Sequence, residues 1–383
     1  VLVLIGTRPE GIKMAPVVHE LARRGSAFET TICMTGQHQE LLEPILDLFG
    51  VKPDVRFEVM REGQSLACLQ GRLMEAIDTL TARVQPHWIL AQGDTTSVLA
   101  GAMVAFYRGI SFGHVEAGLR SGSLSAPFPE EANRRMADMV ATRHWAPTTG
   151  AREALLAEGV SPGSIVVTGN TVIDALETAA SLPFDWEKSP LKALRDYPGR
   201  LVLITAHRRE SFGEGMRNIC LAIRDLAEAF GDTIFLLPVH PNPRAREHVD
   251  ALLGGVKNVA RLMPLDYLSL VQLLRRVRLV LTDSGGLQEE APTFGVPVLV
   301  LRERTERPEG VAAGVARLVG NDRGEIVRRA SELLSDDAVH ARMARAASPY
   351  GDGRAARRIV DSMLGLTVEE FVPALDRPDS SNH

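Results

Sequence analysis

The sequence predicts an α/β architecture of two doubly wound, parallel-sheet domains facing a central cleft, and three observations carry that expectation. Short apolar runs rich in β-branched residues alternate with helical stretches along most of the chain. The runs are uninterrupted rather than alternating, which marks strands covered on both faces and therefore parallel sheets flanked by helices. The pattern occurs once in each half of the chain, so each half reads as a Rossmann-like domain.

Residues 1–5 read as a buried strand and 9–24 as a helix entered through a proline in its first turn. Residues 30–34 are strand-like, and Gly36-Gln37-His38 turns the chain into a helix that reaches Phe49. A helix over 66–83 precedes a strand at 87–91, after which Gly93-Asp94-Thr95 opens another helix. Residues 110–115 and 164–168 complete the strands of the first half. In the second half, 201–205, 234–237, 259–262, 279–282 and 298–301 read as strands separated by helical segments. Weak periodicity together with Pro183, Pro190 and Pro198-Gly199 puts the boundary within 170–200. The expected division is 1–172 for the first domain, 173–364 for the second, and a polar, frayed tail over 365–383.

Composition narrows the function. The 383 residues are 45% hydrophobic and 24% charged, the profile of a soluble globular protein. A net charge of -5 argues against a nucleic-acid partner held by phosphate neutralisation. It leaves room for a small anion at a local cluster such as His207-Arg208-Arg209. Cys33, Cys68 and Cys220 form no CxxC and no Cys/His pair at zinc spacing. They read as buried structural thiols, and no metal site is expected. The opening apolar run is shorter than a signal peptide or a membrane span requires, so a cytoplasmic protein without a membrane partner is expected.

Ligands of open parallel sheets bind outside the carboxyl ends of the strands. Five turns at such ends carry chemistry: Gly6-Thr7-Arg8-Pro9-Glu10 with Lys13 a turn later, Gly93-Asp94-Thr95-Thr96, Glu116-Ala117-Gly118-Leu119-Arg120, His207-Arg208-Arg209-Glu210, and Asp283-Ser284-Gly285-Gly286. Ser284 is placed to cap a helix running through Glu290 toward Gly295. With Leu287 at its third position, no capping-box side chain competes for the free backbone N–H groups. Gly285 and Gly286 let a diphosphate approach those donors, the helix dipole favours its charge, and Glu290 can accept from ribose hydroxyls. His207 can donate to a phosphate or move a proton, although a histidine at a strand end is by itself more often a structural hydrogen bonder. Asp94, Glu116 and Glu130 are the acid/base candidates, since taking a weakly acidic carbon-bound proton needs a desolvated carboxylate crowded by others. Each could instead pair an arginine or cap a helix; Arg8 and Lys13 would offset the charge. GxGxxG after a strand, GxxxxGK[ST] and a strand-end DxD are absent, which disfavours a nicotinamide enzyme, a P-loop NTPase and a metal-dependent sugar transferase.

The motifs GTRPEGIKMAP, TGQH, QGDTTS, GHVEAGLRSG, PFPEEANRR, TGNTVIDAL, TAHRRESFG, PVHPNP, TDSGGLQEEAP, TERPEG and PYGDG, in this order from residue 2 to residue 364, closely resemble the bacterial non-hydrolysing UDP-N-acetylglucosamine 2-epimerases. The resemblance implies a GT-B-like fold with a C-terminal helix near 354–364 crossing back to the first domain. It implies UDP-GlcNAc and UDP-ManNAc as ligands and a homodimer. It also implies exchange at C2 by elimination and re-addition of UDP through 2-acetamidoglucal, with no cofactor because no hydride moves. Matched to the family, the catalytic residues are Asp94, Glu116, Glu130, His207 and Lys13, and the nucleotide contacts are Arg8, Ser284, Gly285, Gly286 and Glu290. Some bacterial members hold a second UDP-GlcNAc as activator; Gln37, Arg208 and His240 match that site, while Gly63 stands for an arginine and Glu40 for a glutamine. Leu270 stands where some members stack an aromatic ring on uracil. Three other readings share these residues: a hydrolysing epimerase releasing ManNAc and UDP, a GT-B glycosyltransferase, and a non-catalytic UDP-sugar sensor.

Overall fold

Thirteen strands are found among the described residues, and every pairing between them is parallel. The computed structural model describes residues 1–37, 39–206, 213–239 and 243–373. Two compact units emerge: Val1–Glu177 with Tyr350–Val372, and Thr178–Pro349.

The first unit contains β1 (Leu2–Ile5), β2 (Thr31–Met34), β3 (Val55–Arg56), β4 (Trp88–Gln92), β5 (Ser111–Val115), β6 (Arg143–Ala146) and β7 (Ile165–Val167), in the order β3-β2-β1-β4-β5-β6-β7. Leu2 and Leu4 face one side, where they pack with Ile89, Phe112 and the stripe Leu69, Leu73, Ile77 and Leu80 of helix Leu66–Val84. Val3 and Ile5 are equally buried, so the first strand is covered on both faces, as its uninterrupted apolar run requires. Helices start where side chains can cap them: Ser65 accepts from the Cys68 N–H and Thr148 from the Ala151 N–H.

The second unit repeats the scheme with β8 (Arg200–Thr205), β9 (Thr233–Pro238), β10 (Val259–Leu262), β11 (Leu279–Thr282), β12 (Val298–Val300) and β13 (Ala316–Leu318), ordered β10-β9-β8-β11-β12-β13. Here the two faces separate cleanly. Val202 and Ile204 pack with Ile219, Ile223 and Leu226 of helix Glu214–Ala229 and with Ile326 and Leu333 of helix Arg323–Ser335. Leu201 and Leu203 pack on the other side with Leu273, Leu274, Leu287 and Val298. In both sheets the strand order reverses at one place, between β1 and β4 and between β8 and β11, the switch point at which doubly wound sheets place ligands. Among the described residues no helix is long and apolar enough to cross a membrane.

Three strands escape the sequence reading: β3, β6 and β13. Helix Ala355–Met363 belongs to the first unit, as the crossing-back helix implied by the resemblance requires. Asp174 caps it, accepting from the Ala355 N–H at 3.2 Å and the Ala356 N–H at 2.9 Å, while Asp361 pairs with Arg24 at 2.7 Å. Beyond it, Phe371 is buried and Glu370 reaches Arg152 at 2.6 Å, so the segment read as a frayed tail is packed as far as Val372. Cys68 corrects the expectation of buried thiols, being exposed on the first turn of its helix, whereas burial pushes Cys33 and Cys220 up to about 12.

Burial raises the Asp174 carboxyl to about 6 even against its two backbone donors. Removing the cap in Asp174→Ala leaves both amides without that acceptor, and the variant is expected to lose about 1–2 kcal/mol in urea unfolding followed by tryptophan fluorescence.

Candidate active site

The first turn of helix Arg8–Arg23 is organised by a residue the sequence reading passed over. Glu10 is buried, and its carboxylate accepts from the Gly6 N–H at 2.5 Å and the Thr7 N–H at 3.3 Å, fastening the end of β1 to the helix. Burial pushes this carboxyl to about 7, with the charge of Asp94 adding to the rise against the donors Thr95, Gly6 and Thr7. Arg8 is the first residue of the helix and half-buried. One turn on, Lys13 places its ammonium 2.5 Å from Glu116 Oε2, and both side chains are nearly excluded from solvent.

Glu116 leaves the end of β5 with φ +65, a left-handed conformation unusual for a residue with a side chain. The Gln92 amide donates to the same Oε2 at 2.8 Å, so an amide and an ammonium converge on one oxygen. Two residues later Gly118 has φ +88, and a Cβ there would lie 2.3 Å from the Ala151 carbonyl oxygen, so the turn accepts only glycine.

Asp94 leaves the end of β4, the strand beside β5, with Gln92 and Val115 in register just before the two turns. Its carboxylate is partly exposed and meets Arg134 at 2.5 Å, while its carbonyl accepts from the Asn133 amide at 2.9 Å. Both partners come from helix Glu130–Val140. Glu130 is the first residue of that helix; it is half-buried, and its Oε2 has no hydrogen-bond partner among the described residues. Arg134 Nε and Nη1 are likewise buried without a hydrogen-bond partner there, with Nη1 3.6 Å from Glu131. Buried donors and acceptors left over in a native fold call for a further partner, and a polar ligand is one.

Gln37 accepts from Ser97, whose hydroxyl lies 2.7 Å from that of Thr35. His207, Arg208 and His240 lie outside the described residues.

In the second unit, Ser284 begins helix Gly285–Glu290 as expected, and the chain continues through a 3-10 turn to Gly295. The Ser284 hydroxyl makes no capping bond; its N–H donates to Thr282 Oγ1 at 2.9 Å. The first amides of a helix have no partner within it and point outward with the positive end of the dipole. A Cβ on Gly285 would lie 3.4 Å from the Arg307 guanidinium carbon, so the glycine keeps a cation beside this helix start. Glu289 holds that guanidinium at 2.7 Å. Glu290 is buried and accepts from the Tyr267 hydroxyl at 3.2 Å. Leu270 packs its side chain against the sheet core.

The family model for UDP-N-acetylglucosamine 2-epimerase matches residues 19–364. The chain belongs to the UDP-N-acetylglucosamine 2-epimerase family. The Escherichia coli K12 enzyme of that name is 46% identical over 368 residues, 95% of this chain and 98% of that protein. The Neisseria meningitidis UDP-GlcNAc 2-epimerase, solved bound to UDP-GlcNAc, is 40% identical with a TM-score of 0.87 over 95% of this chain and 99% of that one. The Staphylococcus aureus MnaA–UDP co-structure is 39% identical with a TM-score of 0.86, covering 97% and 98%. The two Rossmann-like parallel-sheet units are thus those of a GT-B-like epimerase fold.

Of the residues missed in this epimerase family member, Glu10 carries a local signal, the Thr7-x-x-Glu10 capping pattern. Arg134, Asn133, Gln92 and His114 lie within motifs already singled out, but the contacts of Gln92 with Glu116 and of His114 with Asp138 span separations that no local pattern reports.

Two predictions follow from this geometry. Between pH about 4.5 and about 7 the unfolded chain releases the Glu10 proton while the folded chain retains it, so stability falls as pH rises through that window. The stability of wild type relative to Glu10→Gln should drop by about 2–3 kcal/mol between pH 5 and pH 8, measured by denaturant unfolding at each pH. At position 116 the left-handed backbone penalises any Cβ, so Glu116→Gly should be about 1 kcal/mol more stable than Glu116→Ala, although both lose the Lys13 pair. Equal stability of the two variants would argue against a strained Glu116.

Proposed function

We infer that this protein interconverts UDP-GlcNAc and UDP-ManNAc without releasing the nucleotide. The observation that carries the reading is the pair Asp94 and Glu116, leaving neighbouring parallel strands at the same level beside the switch point, with Lys13 and Gln92 on Glu116 and Arg134 on Asp94. Family membership supports it, as do the ligands named for the relatives.

In this reading the amides after Ser284, with Gly285 and Gly286 clearing the approach and Arg307 beside them, hold the diphosphate as it departs as an anion. A carboxylate among Asp94, Glu116 and Glu130 takes the hydrogen from C2, and UDP leaves from C1 to give 2-acetamidoglucal. Return of UDP to C1, with a proton delivered to the other face of C2, gives the epimer. No net oxidation occurs, so the cycle needs no redox cofactor. Lys13 offsets the charge of Glu116, and Glu290 takes ribose hydroxyls. A homodimer belongs to the same reading; Phe106, Tyr107 and Met139, exposed at the carboxyl ends of helices Thr96–Arg108 and Glu130–Val140, supply apolar surface for it.

Incubation with UDP-GlcNAc in deuterated water, followed by NMR, should place deuterium at C2 of both epimers with UDP still attached. Free ManNAc and UDP would mean that water intercepts the intermediate. Asp94→Asn, Glu116→Gln and Glu130→Gln should each lower kcat by about a hundredfold or more; wild-type rates in all three would remove the carboxylates from the mechanism.

A further inference from the structure

The interior of the first unit holds a charged cluster that makes no part of the chemistry above. His114, on β5 two residues before Glu116, is fully buried. Its Nδ1 lies 2.6 Å from Asp138 Oδ1 and its Nε2 lies 2.7 Å from the Gly93 carbonyl oxygen. A carbonyl oxygen can only accept, and an ionised carboxylate can only accept, so both ring nitrogens must carry a hydrogen. The carboxylate is ionised because its second oxygen receives the Arg120 guanidinium at 2.8 Å and the Gly118 N–H at 3.3 Å. Burial opposes charge on the ring, yet Asp138 and the Gly93 carbonyl outweigh it and hold the pKa above the ordinary histidine value. His144 on β6 shows the contrast: burial lowers its pKa, and its Nε2 meets only the Asp138 backbone carbonyl at 2.8 Å.

The charged and titratable groups around His114 are Asp138 from helix Glu130–Val140, Arg120 from the turn after β5, and His144 from β6. Glu158 holds Arg120 from the far side at 2.7 Å. The chain of contacts runs from the carbonyl before Asp94, through the imidazole and Asp138, to the amide of Gly118 and the side chain of Arg120. It therefore ties together the two turns that present Asp94 and Glu116.

We propose that His114 is a positioning residue, an imidazolium clamped by Asp138 that fixes the Gly93-Asp94 turn against the Glu116–Gly118 turn and so sets the two acids for reaction. The clamp itself follows from the contacts; its catalytic consequence rests on the epimerase reading.

The test uses the full chain labelled with nitrogen-15 at histidine. Long-range proton–nitrogen spectra at pH 8 should contain one ring with both nitrogens protonated, and that signal should vanish in His114→Gln. If the signal lost in His114→Gln is a neutral ring with one bare nitrogen, the proposal is overturned. Because His114→Gln can fold poorly, Asp138→Asn provides a second arm that keeps the shape and removes the charge. Scanned from about pH 6 to about pH 9, its His114 ring, left buried beside Arg120 without the carboxylate, should lose its second proton at a lower pH than in wild type, and kcat should fall with deprotonation. KM for UDP-GlcNAc should stay at the wild-type value in both variants, with kcat in His114→Gln reduced about tenfold or more. A doubly protonated ring in Asp138→Asn across the whole range, or a wild-type kcat in His114→Gln, would refute the clamp. A wild-type protein that failed to epimerise UDP-GlcNAc would defeat the functional reading alone, and the spectra would still decide the charge state of His114.

Discussion

Parallel pairing is the constraint on which the rest of this structure depends. When every strand runs the same way, all carboxyl ends emerge at one edge, and the turns that follow them become neighbours however far apart they lie in sequence. β4 and β5 lie side by side in register, so Asp94 and Glu116, 22 positions apart by number, leave the sheet together. Helices packed on both faces remove every other edge from consideration, because the sheet's flanks are filled with Leu, Ile and Val side chains. The candidate side chains are thus placed by the backbone, and their own interactions need only tune angle and charge.

That tuning is done with buried ions. Lys13 with Glu116, and His114 and Arg120 with Asp138, are wholly or largely withdrawn from water, and Arg134 is buried against a partly exposed Asp94. Such pairs contribute little net stability, since desolvation consumes much of their attraction, but breaking one strands an uncompensated charge at a cost of about 3–5 kcal/mol. Their value is geometric. A carboxylate held by an ammonium and an amide, as Glu116 is, has few orientations left, and the left-handed backbone beneath it removes more.

Much of this was legible in the sequence because strands buried on both faces announce themselves. The run at 1–5 carries no polar residue, those at 201–205 and 279–282 none before their final threonine, and they became β1, β8 and β11 within a residue at either end. The missed strands lack that mark. β3 and β13 lie at sheet edges, where Arg56 and Arg317 are tolerated and short strands are usual. β6 is internal but reads Arg-His-Trp-Ala, and it is made fit for burial by partners outside the strand: the Asp138 carbonyl for His144 and Ser362 for the Trp145 indole. The site divides the same way. Residues in turns after apolar runs could be picked out by type and place, as Ser284 and its helix were. The supporting pair of His114 and Asp138 could not, because a buried polar residue looks like any other until its partner is known.

One feature of the fold bears on how the molecule is made. The first unit is discontinuous: it is left at Glu177 and resumed only at Tyr350. Helix Ala355–Met363, with the acceptor Asp174 and the cation Arg24 awaiting it, is supplied by the last part of the chain. A ribosome therefore begins this unit before the second and finishes it after, with an entire second sheet synthesised in between. Until that closing helix emerges, the nascent first unit presents a carboxylate and an apolar seat built for a segment not yet translated.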